Sequence, residues 1–217
     1  MRDRPHRNAA QLGRRGAGMI AGSLRRGPGT PADWLGPLPV RDWFDDPSRP
    51  LEIDVGCGKG RFLLARAGKN PDVNFLGIDR MLRRIRKIDN RARRLDLNNI
   101  RLVRMEAYYA VTYWIPAGAV RTYYVFFPDP WPKARHERHR LFNPLFLDAL
   151  HRTLEPGGAV HVATDHAPYF EQLSEIFADD ARFSAIEPFV PGEDEQTDFE
   201  RYYIGQKTIG RLSVRKA

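Results

Sequence analysis

The chain has 217 residues, 42% hydrophobic and 11% aromatic, enough for one substantial core. Its 35 Lys and Arg against 27 Asp and Glu leave a net charge of +8, which favours a polyanionic partner, nucleic acid before an anionic membrane, unless the organism simply uses much arginine. One cysteine, Cys57, excludes an internal disulfide and a Cys-based zinc site, as a reducing cytoplasm permits, and no run of about 18 apolar residues is present to span a membrane.

Residues 1–30 carry seven Arg and one Asp among many Gly, with no apolar period. They read as a disordered basic arm, a transit peptide being the weaker reading, and residues 31–217 as one domain. Trp34, Leu35, Leu38, Trp43 and Phe44 lie among prolines and read as a short ordered collar. From there strands and helices alternate. Leu51 to Val55 is a short apolar strand, Gly56, Gly58 and Gly60 form a turn, and a helix starts at Arg61. Asn74 to Ile78 is a second strand ending at Asp79, and Arg80 to Leu95 a helix with Arg or Lys over much of its surface. Ile100 to Met105 and Arg121 to Phe127 are the third and fourth strands, ending at Glu106 and Asp129. Asn143 to Leu154 is a helix with Asn143 as N-cap and Pro144 at its first position. Pro156-Gly157-Gly158 reads as a turn before a fifth strand, Ala159 to Ala163, which ends at Thr164-Asp165. A helix from Pro168 to Phe177 follows, then an antiparallel pair, Phe183 to Phe189 with Thr208 to Val214. The alternation predicts an α/β fold: a doubly wound, mostly parallel Rossmann-like sheet with helices on both faces, closed by a C-terminal antiparallel pair.

In a parallel sheet the acids Asp54, Asp79, Glu106, Asp129 and Asp165 fall along one C-terminal edge, where ligands bind. A row of carboxylates repels a highly phosphorylated ligand. The G-x-G-x-G spacing at Gly56, Gly58 and Gly60, with no Ser or Thr after Lys59, is not a P-loop. A glycine turn that lets backbone approach a ligand, and an acid at Asp79 able to accept ribose hydroxyls, suit S-adenosylmethionine: a ribose, a sulfonium cation and no phosphate. The most specific stretch is Phe127-Pro128-Asp129-Pro130-Trp131-Pro132-Lys133 followed by Ala134-Arg135-His136. Its prolines continue neither strand nor helix, so an acid and an indole sit on a stiff loop beside a basic tract, a setting for a nucleobase on a phosphate backbone.

Residues 51–204 resemble the bacterial type of tRNA (guanine-N7)-methyltransferase, which modifies a variable-loop guanosine. The resemblance is carried by Ile53-Asp54-Val55-Gly56-Cys57-Gly58-Lys59-Gly60, Phe75-Leu76-Gly77-Ile78-Asp79, Glu106-Ala107, the Pro-Asp-Pro-Trp-Pro-Lys run with Arg135-His136-Glu137-Arg138-His139-Arg140-Leu141, Thr164-Asp165 and Thr197-Asp198-Phe199-Glu200. It implies a class I methyltransferase fold and S-adenosylmethionine held by Asp54, Gly56, Gly58, Asp79, Glu106 and Asp129. It makes Asp129 the functional acid between methyl donor and guanine. It gives the guanosine to Lys133, Asp165, Thr197, Asp198, Phe199 and Glu200, and tRNA phosphates to Arg135, His136, Arg138, His139 and Arg140. The chain departs from the family pattern at three acids: Asp54 and Asp79 stand where Glu is usual, Glu106 where Asp is usual. Each keeps its charge and moves it by one methylene.

Other readings compete at several positions. Asp165 suits a cap on the following helix, and Thr197 with Glu200 a capping box. His136 and His139 lack a third ligand, so no metal is expected. The basic helix from Arg80 to Arg94 reads as a solvated face or as a tRNA-facing one. A methyltransferase acting on an exocyclic amine, or a non-catalytic RNA-binding protein, are the alternative functions. The expected partner is tRNA, in the cytoplasm and away from membranes, with monomer and homodimer both open and the basic arm adding salt-sensitive affinity.

Overall fold

The computed structural model describes residues 36–203 and 205–217, without the side chains of Ala134 and Arg138. The basic arm of residues 1–30, Trp34 and Leu35 lie outside the described residues.

Seven strands form one sheet: β1 (Leu51–Val55), β2 (Asn74–Asp79), β3 (Ile100–Arg104), β4 (Val120–Phe126), β5 (Leu154–Thr164), β6 (Phe183–Ile186) and β7 (Gly210–Lys216). Their order is β3-β2-β1-β4-β5-β7-β6. The first five run parallel, and β7 is antiparallel to both neighbours. Every residue of β1 and β2 is buried, as strands covered on both faces must be. Helices α1 (Arg61–Lys69) and α2 (Leu82–Arg94) cover one face through Leu63, Leu64, Ile85 and Ile88. On the other face α4 (Pro144–Thr153) and α5 (Ala167–Ala178) bury Phe146, Leu150, Tyr169 and Leu173. Gly77 lets helix and sheet approach closely: a Cβ there would stand 2.5 Å from the Leu63 side chain and 2.8 Å from that of Leu102.

The described part of the collar packs onto the sheet. Leu38, Val40, Trp43 and Phe44 join the main core, Leu38 N–H donates to the Trp114 carbonyl at 2.7 Å, and the Arg101 guanidinium lies 5.2 Å over the Phe44 ring. Asn143 caps α4 by accepting from Phe146 N–H at 3.1 Å, with Pro144 in the first turn. Three local features differ from expectation. Pro156 to Gly158 belong to β5 rather than preceding it; the register slips where β4 pairs with this stretch, so strand pairing absorbs the turn residues as an irregularity. A short helix α3 (Ala107–Tyr109) continuing into a π-helical turn (Ala110–Trp114) links β3 to β4, its Val111 buried in the core. The cap of α5 is His166, whose Nδ1 accepts from Tyr169 N–H at 3.2 Å, rather than Asp165.

Candidate active site

Chain order reverses across β1, which lies between β2 and β4, so the crevice above the carboxyl end of β1 is where such a sheet takes a ligand. The glycine turn fills its floor. Gly56 (φ 77°) and Gly58 (φ 57°) adopt the left-handed region, and a Cβ on Gly56 would meet no atom within 4 Å. Their backbone therefore faces free space. Gly60 differs, because a Cβ there would lie 2.5 Å from Ile88, so this glycine lets α1 close on α2.

Two acids flank the turn. Asp79 is 5% exposed; its Oδ1 accepts from Met81 N–H at 2.7 Å and its Oδ2 from Gly58 N–H at 3.1 Å and Arg84 at 3.2 Å. Asp54 is equally buried, yet among the described residues no donor bonds its carboxyl. Burial, and secondly the charge of Asp79, push the Asp54 carboxyl up to about 8. Cys57 is buried beside them, and burial with both carboxylates raises its thiol well above the usual range, the opposite of what a nucleophile needs. Glu106 is exposed and caps α3, accepting from Tyr109 N–H at 3.1 Å. Tyr109 and Tyr113 stack at 5.9 Å on this rim, both exposed; sequence reasoning passed over them because a π-turn gives no recognisable period.

Across the crevice the Asp129 loop leaves β4. Phe127 (φ 54°) and Trp131 (φ 43°) take left-handed backbone, each a strain of about 1–3 kcal/mol for such residues. Surrounding contacts hold it. Phe127 N–H donates to the Ala163 carbonyl at 2.7 Å, and its ring packs 4.4 Å from Phe199. Arg140 Nε donates to the Pro130 carbonyl at 2.8 Å, while its Nη1 both donates to Gln172 and pairs with Glu137, and the guanidinium lies 5.1 Å over Tyr169. Arg140 is thus buried under the loop it supports, whereas the resemblance implied a phosphate contact at the surface. Trp131 stands 5.8 Å from His136 and 5.2 Å from His139. Asp129 itself is exposed, and no described residue bonds its carboxylate.

Lys133, Arg135 and His139 are exposed and His136 half-buried along a 3₁₀ segment, Ala134–His139; the Arg138 side chain lies outside the described residues. Asp165 pairs with Lys207, whose ammonium also lies 4.3 Å over Tyr203 and 5.2 Å over Phe199. Thr197 and Glu200 form a complete capping box on α6 (Asp198–Tyr202): Thr197 N–H donates to Glu200 at 2.7 Å and Glu200 N–H to Thr197 at 3.1 Å. Glu200, 3% exposed, also pairs with Arg211, so both side chains are committed to building α6. Asp198 and Phe199 are half-buried beside them. The structure thus joins Asp165, Phe199 and the Asp129 loop through Phe127 and Lys207. Lys207 and Arg84 were missed in the sequence because their acidic partners lie on other elements. Among the described residues no group of three His, Cys, Asp or Glu is placed to hold a metal ion, and no helix is long and apolar enough to cross a membrane.

This strand order, with a glycine turn at the switch point and an acid closing β2, defines a class I methyltransferase. The fold is shared with KamB, a 16S rRNA methyltransferase, at a TM-score of 0.60 and 17% identity over 91% of this chain and 98% of that one. Residues 48–202 match the family Methyltransf_4, described as "Putative methyltransferase". A tRNA (guanine-N(7)-)-methyltransferase of Rubrobacter xylanophilus is 37% identical over 165 residues, 75% of this chain and 73% of the relative. One of Nocardia farcinica is 38% identical over 160 residues, 74% of this chain and 59% of the relative. The match thus spans between 59% and 73% of the length of these two relatives. The chain belongs to the tRNA (guanine-N7)-methyltransferase family.

Proposed function

We propose that this chain transfers a methyl group from S-adenosylmethionine to N7 of a guanosine in the variable loop of tRNA, forming 7-methylguanosine in the cytoplasm. The observation that carries the reading is the loop after β4: an exposed, unpartnered Asp129, bracketed by two left-handed residues and the buried Arg140, on the same edge as the glycine turn, in a chain of this family.

The residues on the other side of the crevice suit the methyl donor. The open backbone at Gly56 and Gly58 leaves room that a side chain would fill. The unbonded carboxyl of Asp54, which holds a proton in the free protein, would ionise to meet a cationic ammonium, and Asp79 and the exposed Glu106 suit hydroxyls. When bound, the donor supplies an electrophilic sulfonium methyl.

Guanine N7 carries an in-plane lone pair and no proton at neutral pH, so its attack needs no general base. Positive charge develops on the purine, and the fixed Asp129 carboxylate stabilises it and accepts from guanine N–H groups without abstracting a proton. Lys133, Asp165, Asp198 and Phe199 line the acceptor side, Thr197 and Glu200 build the helix that presents them, and Arg135, His136, Arg138 and His139 meet phosphate. Positioning supplies much of the remaining acceleration.

The test is methyl transfer from labelled S-adenosylmethionine to unmodified tRNA, followed by nucleoside analysis. We expect 7-methylguanosine, and a loss of about a hundredfold or more in kcat in Asp129→Ala, the scale of removing one preorganised electrostatic group. An N6-methyl base as product, or near-native turnover of Asp129→Asn at saturating tRNA, would sink the reading.

A further inference from the structure

Among the described residues, one dense basic segment takes no part in the reaction. Helix α2 carries seven Arg and Lys against one Asp over 13 residues, a net +6 in a chain whose total is +8. Only Ile85, Ile88 and Ala92 of this helix are buried. Its first turn holds no acidic residue, so Arg83 and Arg84 face the positive end of the helix dipole. Arg83 with Lys87, and Lys87 with Arg91, are like charges four residues apart, each spacing costing about 0.2–0.5 kcal/mol. Asp89 relieves only Arg93, at 2.9 Å, and Arg84 turns inward to Asp79. Among the described residues Arg83, Arg86, Lys87 and Arg94 are exposed and make no ion pair. Arg91, Arg93 and Arg94 suit the negative end of the dipole, but the first two turns are crowded with like charge, and a polyanion laid along the exposed face relieves that crowding.

The patch extends to the sheet. The exposed Arg104, at the end of β3, donates from Nε to the backbone carbonyl of the exposed Arg80 at 3.3 Å, which brings the Arg104 guanidinium to the corner where α2 begins. The sheet order puts this corner on the β2–β3 side of the crevice and the Asp129 loop with its basic segment on the β4–β5 side. A membrane is the poorer fit, because the apolar stripe that would insert is packed against the sheet.

We propose that the exposed face of α2, with Arg80 and Arg104, is a phosphate-binding track that anchors the tRNA at a distance from the guanosine being modified, so that the RNA bridges the crevice. The inference rests on the tRNA reading above. The track carries affinity and salt dependence, while base recognition stays on the opposite side.

The closing experiment uses the full chain and a variant carrying Arg83→Gln, Arg86→Gln and Lys87→Gln, none of which touches Asp79 or the core. Filter binding to unmodified tRNA across a salt series is read beside S-adenosylmethionine affinity, thermal midpoint and 7-methylguanosine yield. Three lost phosphate contacts should weaken binding about tenfold or more near physiological salt and make the log–log salt slope shallower by about 2. Donor affinity, midpoint and kcat at saturating tRNA should hold. Unchanged tRNA affinity and slope overturn the proposal and leave the enzymatic reading standing. α2-dependent tRNA binding without 7-methylguanosine supports the track and overturns the enzymatic reading. Wild-type protein that binds no tRNA overturns both. Capture by phosphatidylserine vesicles that the variant loses, with tRNA binding unaffected, overturns the track in favour of a membrane.

Discussion

The two sides of the crevice are built by different means. On the β1–β2 side the glycine turn and Asp79 are fixed by bonds between two adjacent strand ends: Gly56 and Cys57 N–H groups both donate to the Ile78 carbonyl, and Asp79 bonds Gly58 and Met81. On the β4–β5 side a strained loop is propped by residues far along the chain, with Arg140 reaching Gln172 and Phe127 packing on Phe199. The first side is a consequence of strand pairing. The second exists only once α5 and α6 have docked, so it is the side that substitutions can disable while the fold survives.

The largest expected effect breaks the first side. Gly60→Val combines a backbone at φ 75° with a Cβ 2.5 Å from Ile88. It should cost about 3 kcal/mol or more of stability, read as a lower midpoint in chemical denaturation, together with loss of donor binding. A variant of wild-type stability would mean that α1 and α2 are not held as close as described. Next comes the bracket. Arg140→Met removes the donor to the Pro130 carbonyl and leaves Glu137 unpaired. We expect kcat on tRNA to fall about ten- to a hundredfold, the scale of an angstrom-level misplacement, with the affinity for S-adenosylmethionine unchanged. An equal fall in donor affinity would erase the distinction between the two sides.

Asp54 sharpens the comparison through pH. Its folded value, about 8, lies above the usual carboxylate range near 3.9, so between these values the folded state holds a proton that the unfolded chain has released. The stability this contributes is complete below about pH 4 and is lost as pH rises through 8, with a slope of at most about 1.4 kcal/mol per unit. Denaturation of wild type and Asp54→Asn at several pH values should show the decline only in wild type; parallel curves would place a charged, compensated Asp54 in the site. The smallest effect is expected at Lys207. Lys207→Met frees Asp165, and a change of a few-fold in KM for tRNA, with stability held within about 1 kcal/mol, separates an occupied acid from an idle one.

The same contrast explains what the sequence disclosed. All seven strands and the acids at their ends were legible, the five parallel ones because buried strands write themselves as apolar runs, with prolines marking where one stops. The capping box at Thr197 and Glu200 was legible as a spacing. Arg140 was not: in the sequence it is one more cation in a basic tract, and only the docking of α5 buries it. The π-turn after β3 and the passage of β5 through Pro156 to Gly158 were hidden for the same reason, since pairing and packing override local preference there.

Strand β6 comes before β7 in the chain, yet β7 is its partner, and β7 in turn is paired with β5. This edge therefore runs against chain order: β6 reaches the sheet only through β7. Such long-range pairing is slow to form. A folding intermediate with β1 to β5 paired would expose the free side of β5, a ready template for a strand from another molecule.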